Sequence, residues 1–261
     1  MTTLFSRTLF QFLRVVRRPF PAGMRRQVRL LFFHWLDLTW QLSCGLRARL
    51  GSYTDWVVYN EIFVHGEYDQ ALRRALETAA GHAAPIHIVD LGANVGFFTL
   101  RAVQQLLERG VEARRFMITA VEGDADCVKE FEARIFAENE LSRTVTLTHG
   151  LVGNRSGEAN LHGDSLFRRE MRGTAVPFVD LDLLLSNVPR IDLLKCDIEG
   201  AELLLIENYP ELLRKVNVAV FELHSNLCDT ARCRELLTQY GFTHAETDRA
   251  GDPYSVYCVW R

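Results

Sequence analysis

From residue 86 onward the chain alternates between two hydrophobic patterns. Residues 86–91, 116–121, 145–152, 191–197 and 216–223 are short, nearly continuous apolar runs, as expected of strands buried on both faces. Helical spacing falls between them, over about 95–109 with a stop at Gly110, over 125–139 behind Asp124, and over 229–240 after the last run. Strands and helices in alternation predict an α/β fold with a mostly parallel sheet covered on both sides. The glycine-containing stretch 153–180 reads as a hairpin excursion and a short helix. Two late runs, 242–247 and 255–260, flank Gly251-Asp252-Pro253. They predict a hairpin that completes seven strands with an antiparallel C-terminal edge.

The first fifty residues follow a different pattern and predict two helices separated by Pro19 and Pro21. In the second, Met24, Val28, Leu31, Trp35, Leu38 and Leu42 recur at spacings of three and four, an apolar stripe on one helical face. Residues 1–52 also carry nine arginines against the single acid Asp37, in a chain whose net charge is −3. Such a basic amphipathic pair either packs on its own domain or lies on an anionic membrane surface. The apolar stretch 30–46 is broken by His34, Asp37 and Gln41 and is shorter than the ~20 residues of a bilayer span. A length of 261 residues with 48% hydrophobic positions supports one large domain plus an appendage. The six cysteines show neither C-x-x-C pairing nor zinc spacing, and Arg14, Arg17 and Arg18 interrupt any leader-like run. A reduced, cytoplasmic setting is expected, with association at the inner membrane face left open through residues 1–52. A helical arginine face is usually solvated and nothing marks these arginines for base stacking, so no nucleic-acid partner is expected.

The chemistry centres on Val89-Asp90-Leu91-Gly92-Ala93-Asn94-Val95-Gly96. A dinucleotide turn needs three glycines, but Asn94 and Phe97 occupy two of those positions. A P-loop would end in Gly-Lys-Ser/Thr, where this chain has Gly96-Phe97-Phe98. What remains is an acid at a strand end followed by bare backbone, suited to a ligand with an ammonium group and no phosphate. Ligands of such sheets bind beyond the carboxyl ends of the strands, and those ends carry Asp90, Glu122, Asp197 with Glu199, and Glu222 with His224. Glu122 closes the strand after Asp90 and can accept both hydroxyls of an adenosine ribose. An acid at Asp90 repels pyrophosphate and attracts an amino-acid ammonium, so S-adenosylmethionine fits better than NAD. Each acid has a plainer alternative as a helix cap, as Asp124 illustrates.

Taken in order, 55–69 (DWVVYNEIFVHGEYD), 88–100 (IVDLGANVGFFTL), 121–124 (VEGD), 178–185 (FVDLDLLL), 191–202 (IDLLKCDIEGAE) and 221–224 (FELH) resemble the FkbM-family S-adenosylmethionine-dependent methyltransferases. The resemblance covers about 55–261. Its most specific element is Lys195-Cys196-Asp197-Ile198-Glu199-Gly200-Ala201-Glu202, while Val179-Asp180 departs modestly from the common pattern. It implies a Rossmann-like class I methyltransferase domain at 85–261, entered through a cap or lid segment at 53–84; the basic amphipathic helical extension read at 1–52 falls outside it and inherits nothing.

The resemblance also implies roles. Gly92, Ala93, Asn94 and Gly96 hold the cofactor through backbone approach, Asp90 orients its ammonium, Glu122 clamps its ribose, Tyr68 belongs to a lid over it, and Asp197 borders it. For an alcohol acceptor, His224 is the first candidate for general base, since its ordinary pKa is near ~6.5. Lys195 is the rival, with an ion pair to a neighbouring acid equally open for it. In an extended strand Lys195, Asp197 and Glu199 share one face. Asp197 and Glu199 orient the acceptor or coordinate a cation, but two acids in one turn fall short of a ligand set, and no metal is expected. The expected activity is O-methylation of a small-molecule or glycan acceptor, against N-methylation, a nicotinamide-dependent oxidoreductase, or a binding module on the same scaffold.

Overall fold

The computed structural model describes residues 38–80, 82, 84–159, 175–249 and 254–261. The turn at 251–253 and the expected helices within 1–37 lie outside them. The described chain opens with an antiparallel pair, β1 (Leu38–Gln41) and β2 (Arg47–Leu50). Next comes α1 (Tyr53–Tyr59), capped by Ser52 and running into a π-helical turn at Asn60–His65, and then α2 (Asp69–Ala79). The core follows as β3 (Ile86–Leu91), α3 (Phe97–Glu108), β4 (Phe116–Glu122), α4 (Ala125–Phe131) with a π-helical turn at Glu132–Ala137, and β5 (Val145–His149). A minor pair, β6 (Glu158–Ala159) and β7 (Val176–Pro177), leads to the short α5 (Leu181–Leu184). The remainder is β8 (Ile191–Cys196), α6 (Glu202–Asn208), α7 (Pro210–Arg214), β9 (Val216–His224), α8 (Thr230–Gln239), β10 (His244–Arg249) and β11 (Tyr254–Trp260).

Seven strands form one sheet in the order β10-β11-β9-β8-β3-β4-β5. Pairing is parallel from β9 to β5, whereas β11 and β10 join antiparallel. The expected mostly parallel sheet with an antiparallel edge hairpin is thus present. Its two faces carry separate apolar layers. Ile88, Leu193 and Val220 pack with α2 and α3 on one side, and Val89, Leu194 and Phe221 with α6, α7 and α8 on the other. This two-sided burial is why the strands read as continuous apolar runs. Asp124, Asp180 and Asp229 start α4, α5 and α8 by accepting backbone N–H bonds, as N-cap acids do. The outer strand β10 exposes His244, Ala245, Glu246 and Thr247.

The stripe from Met24 to Leu42 does not continue as a helix into the described region. Leu38 and Leu42 fall instead in a hairpin. A spacing of four is even, so it satisfies the period of two in a strand as well as the helical one. Gly45 turns the chain at φ 93, with Leu42 N donating to Leu46 O at 2.7 Å. Arg47-Ala48-Arg49-Leu50 then alternates strictly, with Ala48 and Leu50 buried and both arginines outward.

This hairpin is built into the body. Arg47 N donates to Asn139 Oδ1 at 2.7 Å, and Asn139 Nδ2 donates back to Arg47 O at 2.9 Å. The buried Arg134 guanidinium reaches Arg49 O at 3.2 Å, Asp55 Oδ2 at 3.3 Å and the Val95 carbonyl. Residues 38–50 therefore share the apolar core with α1 and α3, and position 52 does not separate two packed units. Among the described residues no helix is long and apolar enough to cross a membrane.

If the hairpin belongs to the core, Leu50→Ala should lower the unfolding free energy by ~2–5 kcal/mol, read by urea denaturation of the full chain. A loss below ~1 kcal/mol would show that β2 is only loosely attached.

Candidate functional site

The carboxyl ends of β3, β4, β8 and β9 converge, and the site grows from the turn that leaves β3. Gly92 adopts φ 71, and a Cβ there would sit 1.7 Å from the Asp197 carbonyl oxygen. The turn therefore lies backbone against backbone on the end of β8, a contact only glycine permits. Gly96 also has a positive φ, but its missing Cβ faces Phe131 at 2.9 Å and Ile135 at 3.0 Å. The structure thus gives Gly96 a packing role between α3 and α4.

Every amide of the turn already has a partner within the protein. Gly92 N and Ala93 N both donate to Val121 O at 3.0 Å, Asn94 N to Glu122 Oε2 at 2.6 Å, Val95 N to Asn94 Oδ1 at 2.8 Å, and Gly96 N to Ala93 O at 2.9 Å. A phosphate-binding turn instead presents free amides to its ligand. Glu122 ends β4, and its Oε1 accepts from Asp124 N at 2.7 Å. Each carboxylate oxygen offers two lone pairs, so the two backbone bonds orient the group without saturating it. Burial pushes this carboxyl upward from its ordinary value, against the two amides.

Asp90 and Lys195 are direct partners across the β3–β8 register. Lys195 Nζ donates to Gly92 O at 2.6 Å and lies 3.4 Å from Asp90 Oδ1 and 3.6 Å from Asp197 Oδ2. Burial favours the neutral amine, but Asp90, Asp197 and Glu222 outweigh it and raise the pKa. Lys195 is therefore a buried cation held among acids, an arrangement that favours the ion pair expected for it over the general-base role. Asp90 is fully buried and also accepts from Thr99 Oγ1 at 2.7 Å. Burial pushes its carboxyl upward while Lys195 and Thr99 favour the anion. The charge counted at Asp90 as free for a ligand ammonium is thus already matched by Lys195.

On the other side of Lys195 lies a carboxylate cluster. β8 stops at Cys196, although Asp197 N still bonds to Leu91 O at 3.1 Å. Glu199 does not continue the strand face shared by Lys195 and Asp197. It stands in a turn at φ 54. Asp197 and Glu199 nevertheless converge with His224 from β9, one ligand atom of each lying within 4.8 Å of the others. Sequence reasoning gave no role to Glu202, which proves to organise this turn. Fully buried in the first turn of α6, it accepts from Ile198 N at 3.3 Å and Gly200 N at 3.0 Å, and its Oε1 faces His224 Nδ1 at 3.3 Å. Its place as the last acid of the 191–202 element was the available signal.

Burial would lower the His224 pKa, but Glu202, Asp197 and Glu222 raise it to about 9. The imidazole is protonated at neutral pH, unlike the neutral base expected from its ordinary value. Glu222, a strand-end acid given no role in the sequence reading, is pushed up to about 9 by burial and by Asp197 and Glu67. Tyr68, buried just before α2, donates from its hydroxyl to Glu222 Oε2 at 3.0 Å and sets its ring against Phe98 at 5.3 Å. The segment expected to act as a lid thus reaches the strand ends through Tyr68.

The family model described as the methyltransferase FkbM domain matches residues 90–243. No curated protein matches the sequence. Among solved structures, the chain is similar to an FkbM methyltransferase from Methylobacillus flagellatus KT, with 13% identity and a TM-score of 0.49 over 80% of this chain and 54% of that one. It is also similar to a precorrin-6y C5,15-methyltransferase from Geobacter metallireducens GS-15, with 13% identity and a TM-score of 0.45 over 74% and 86% of the two chains. Magnesium protoporphyrin IX methyltransferase from Synechocystis PCC 6803 gives 11% identity and a TM-score of 0.46 over 95% and 96%. These structural likenesses are distant, and the family assignment rests on the match over 90–243.

Lys195→Met should leave Asp90 buried without a counter-charge and reduce stability by ~3–5 kcal/mol, measured by urea unfolding. A variant as stable as the wild type would mean that the ion pair does not hold the β3 turn.

Proposed function

The chain belongs to the FkbM methyltransferase family, and from that premise we propose that it moves the methyl group of S-adenosylmethionine to a hydroxyl oxygen of a sugar, glycan or secondary metabolite. The observation that carries the cofactor choice is the saturated glycine turn. With the amides of residues 92–96 all donating inside the protein, the turn offers no cradle to a pyrophosphate. This favours an uncharged adenosine with an amino-acid tail over a nicotinamide dinucleotide. The neighbouring groups suit such a ligand. Glu122 retains lone pairs for two ribose hydroxyls, and Asp197, a quarter exposed beside the buried Lys195, offers a carboxylate to an ammonium group.

When bound, the cofactor supplies an electrophilic methyl carbon on a sulfonium centre. The protein contributes mainly position, which is worth ~7–11 kcal/mol when reactants are held in line. Gly92, Ala93 and Asn94 shape the wall on the cofactor side. Tyr68 closes the opposite side against Phe98 and Glu222, where it excludes water. The proton leaving the acceptor hydroxyl enters the cluster of Asp197, Glu199, Glu222 and His224. There His224 balances the carboxylates as a cation instead of acting as a lone neutral base. A positioned proton acceptor of this kind contributes ~10²–10⁴-fold.

The basic stretch at the start of the chain is assigned a separate task, peripheral contact with an anionic membrane surface in a cytoplasmic setting. Its support is the charge excess of residues 1–52. Because 38–50 proves to be core structure, the contact is assigned to the residues before the hairpin.

Two measurements check these readings. By titration calorimetry the chain should bind S-adenosylhomocysteine and not NAD, and Glu122→Gln should weaken that binding ~10-fold or more, the scale of a lost charge-assisted hydrogen bond. Tighter binding of NAD would end the cofactor assignment. In co-sedimentation, vesicles rich in phosphatidylserine should retain the full chain and release a variant lacking residues 1–37. Equal retention of the two would remove the membrane role.

A further inference from the structure

We propose that Asp197, Glu199 and His224 bind one divalent cation of the manganese type, which accepts imidazole nitrogen beside carboxylate oxygen. One ligand atom from each residue already lies within 4.8 Å of the other two. Oxygen ligands of hard divalent ions sit at ~2.0–2.6 Å, so ligands sharing an ion lie roughly 3–5 Å apart. The three groups need only small side-chain rotations to close on a common centre. The acids alone would be an ordinary solvated pair, and the imidazole makes them a mixed ligand set.

His224 provides the independent observation. Its ring is buried, and the Glu202 carboxylate at 3.3 Å from Nδ1 draws the ring proton to that nitrogen. Glu202 is itself fixed by the amides of Ile198 and Gly200. A histidine whose Nδ1–H is held by a carboxylate presents Nε2 in a set direction, as metal-ligating histidines do, and the ion binds there by displacing the Nε2 proton to solvent. Here Nε2 points among acids, 3.6 Å from Glu222 Oε1 and 3.9 Å from Glu199 Oε2. Both distances exceed hydrogen-bonding reach. Nε2 of this buried side chain is thus aimed into a group of carboxylates, two of them at ion-pair distance and neither within hydrogen-bonding reach.

Charge and access agree with this. Asp197, Glu199, Glu202 and Glu222 surround His224, and the nearby cation Lys195, bound to Asp90 and the Gly92 carbonyl, reaches this group only through Asp197 at 3.6 Å. Glu199 is 36% exposed at its side chain, which leaves an entry for a small ion. Three protein ligands leave coordination positions open. If the methyl-transfer reading holds, on which this use of the ion rests, those positions would receive an oxygen of the acceptor and place it beside the glycine turn.

The test uses the full chain, stripped of metal by chelation and dialysis and titrated with manganese chloride, with free Mn²⁺ followed by electron paramagnetic resonance. Saturable uptake of one ion per chain is expected. Glu199→Gln, on a half-open turn where folding is not at stake, should weaken uptake at least ~10-fold, and Glu202→Gln by ~10–100-fold through a misplaced imidazole. Glu235→Gln, on the exposed face of α8, should change nothing. Non-saturating uptake by the wild type, or unchanged affinity in Glu199→Gln, overturns the site. Calorimetry with S-adenosylhomocysteine on the same samples separates the two readings. Cofactor binding without Mn²⁺ uptake defeats the ion site alone, and Mn²⁺ uptake without cofactor binding defeats the methyltransferase proposal alone.

Discussion

A single buried ammonium group holds the working end of this sheet together. Lys195 is enclosed at the β3–β8 boundary, where it binds the Gly92 carbonyl and pairs with both Asp90 and Asp197. An unpaired charge in such surroundings would be costly, so the three groups fix one another in place. The turn after β3 is thereby pinned to the end of β8, and the bare Cα of Gly92 allows the two backbones to touch. What lies on either side of Lys195 inherits its position from that clamp.

The two sides differ in character. Toward β4 the amides are internally satisfied and Glu122 stands oriented by two of them, which leaves that wall without free amide donors for an anion. Toward β9 four carboxylates gather around one imidazole, and burial raises the cost of keeping all of them charged. Burial and the neighbouring acids push the Glu222 carboxyl up, and the acids around His224 raise its imidazole against burial. Under the proposed function, adenosine recognition and proton or cation handling would fall on opposite flanks of one lysine.

The sheet was legible in the sequence because burial on both faces writes itself as unbroken apolar runs, and the glycine turn because few residues tolerate its backbone. The hairpin at 38–50 was not legible, since its leucines recur at an interval common to helix and strand. Glu202 escaped notice for a different reason. Its partner His224 is 22 positions away, and only the β8–β9 pairing brings them together. Asp90 and Lys195 were recognised as important, but their mutual neutralisation depends on a cross-strand register that no single run of residues displays. Gly96 carried a familiar motif position while its use is set by Phe131 and Ile135 on another helix.

The outermost strand, β10, has consequences beyond the site. A sheet edge presents unpaired backbone groups and invites a strand from another molecule. Here that edge is dressed with His244 and Glu246, and Glu246 is engaged by Gln70 at 2.6 Å and by the Arg74 guanidinium at 3.5 Å. A strand arriving from a second molecule would have to strip water from these groups and compete with those bonds. The same contacts that tie α2 to the rim therefore discourage edge-to-edge aggregation, and sheet growth ends at β10 instead of seeding a fibril.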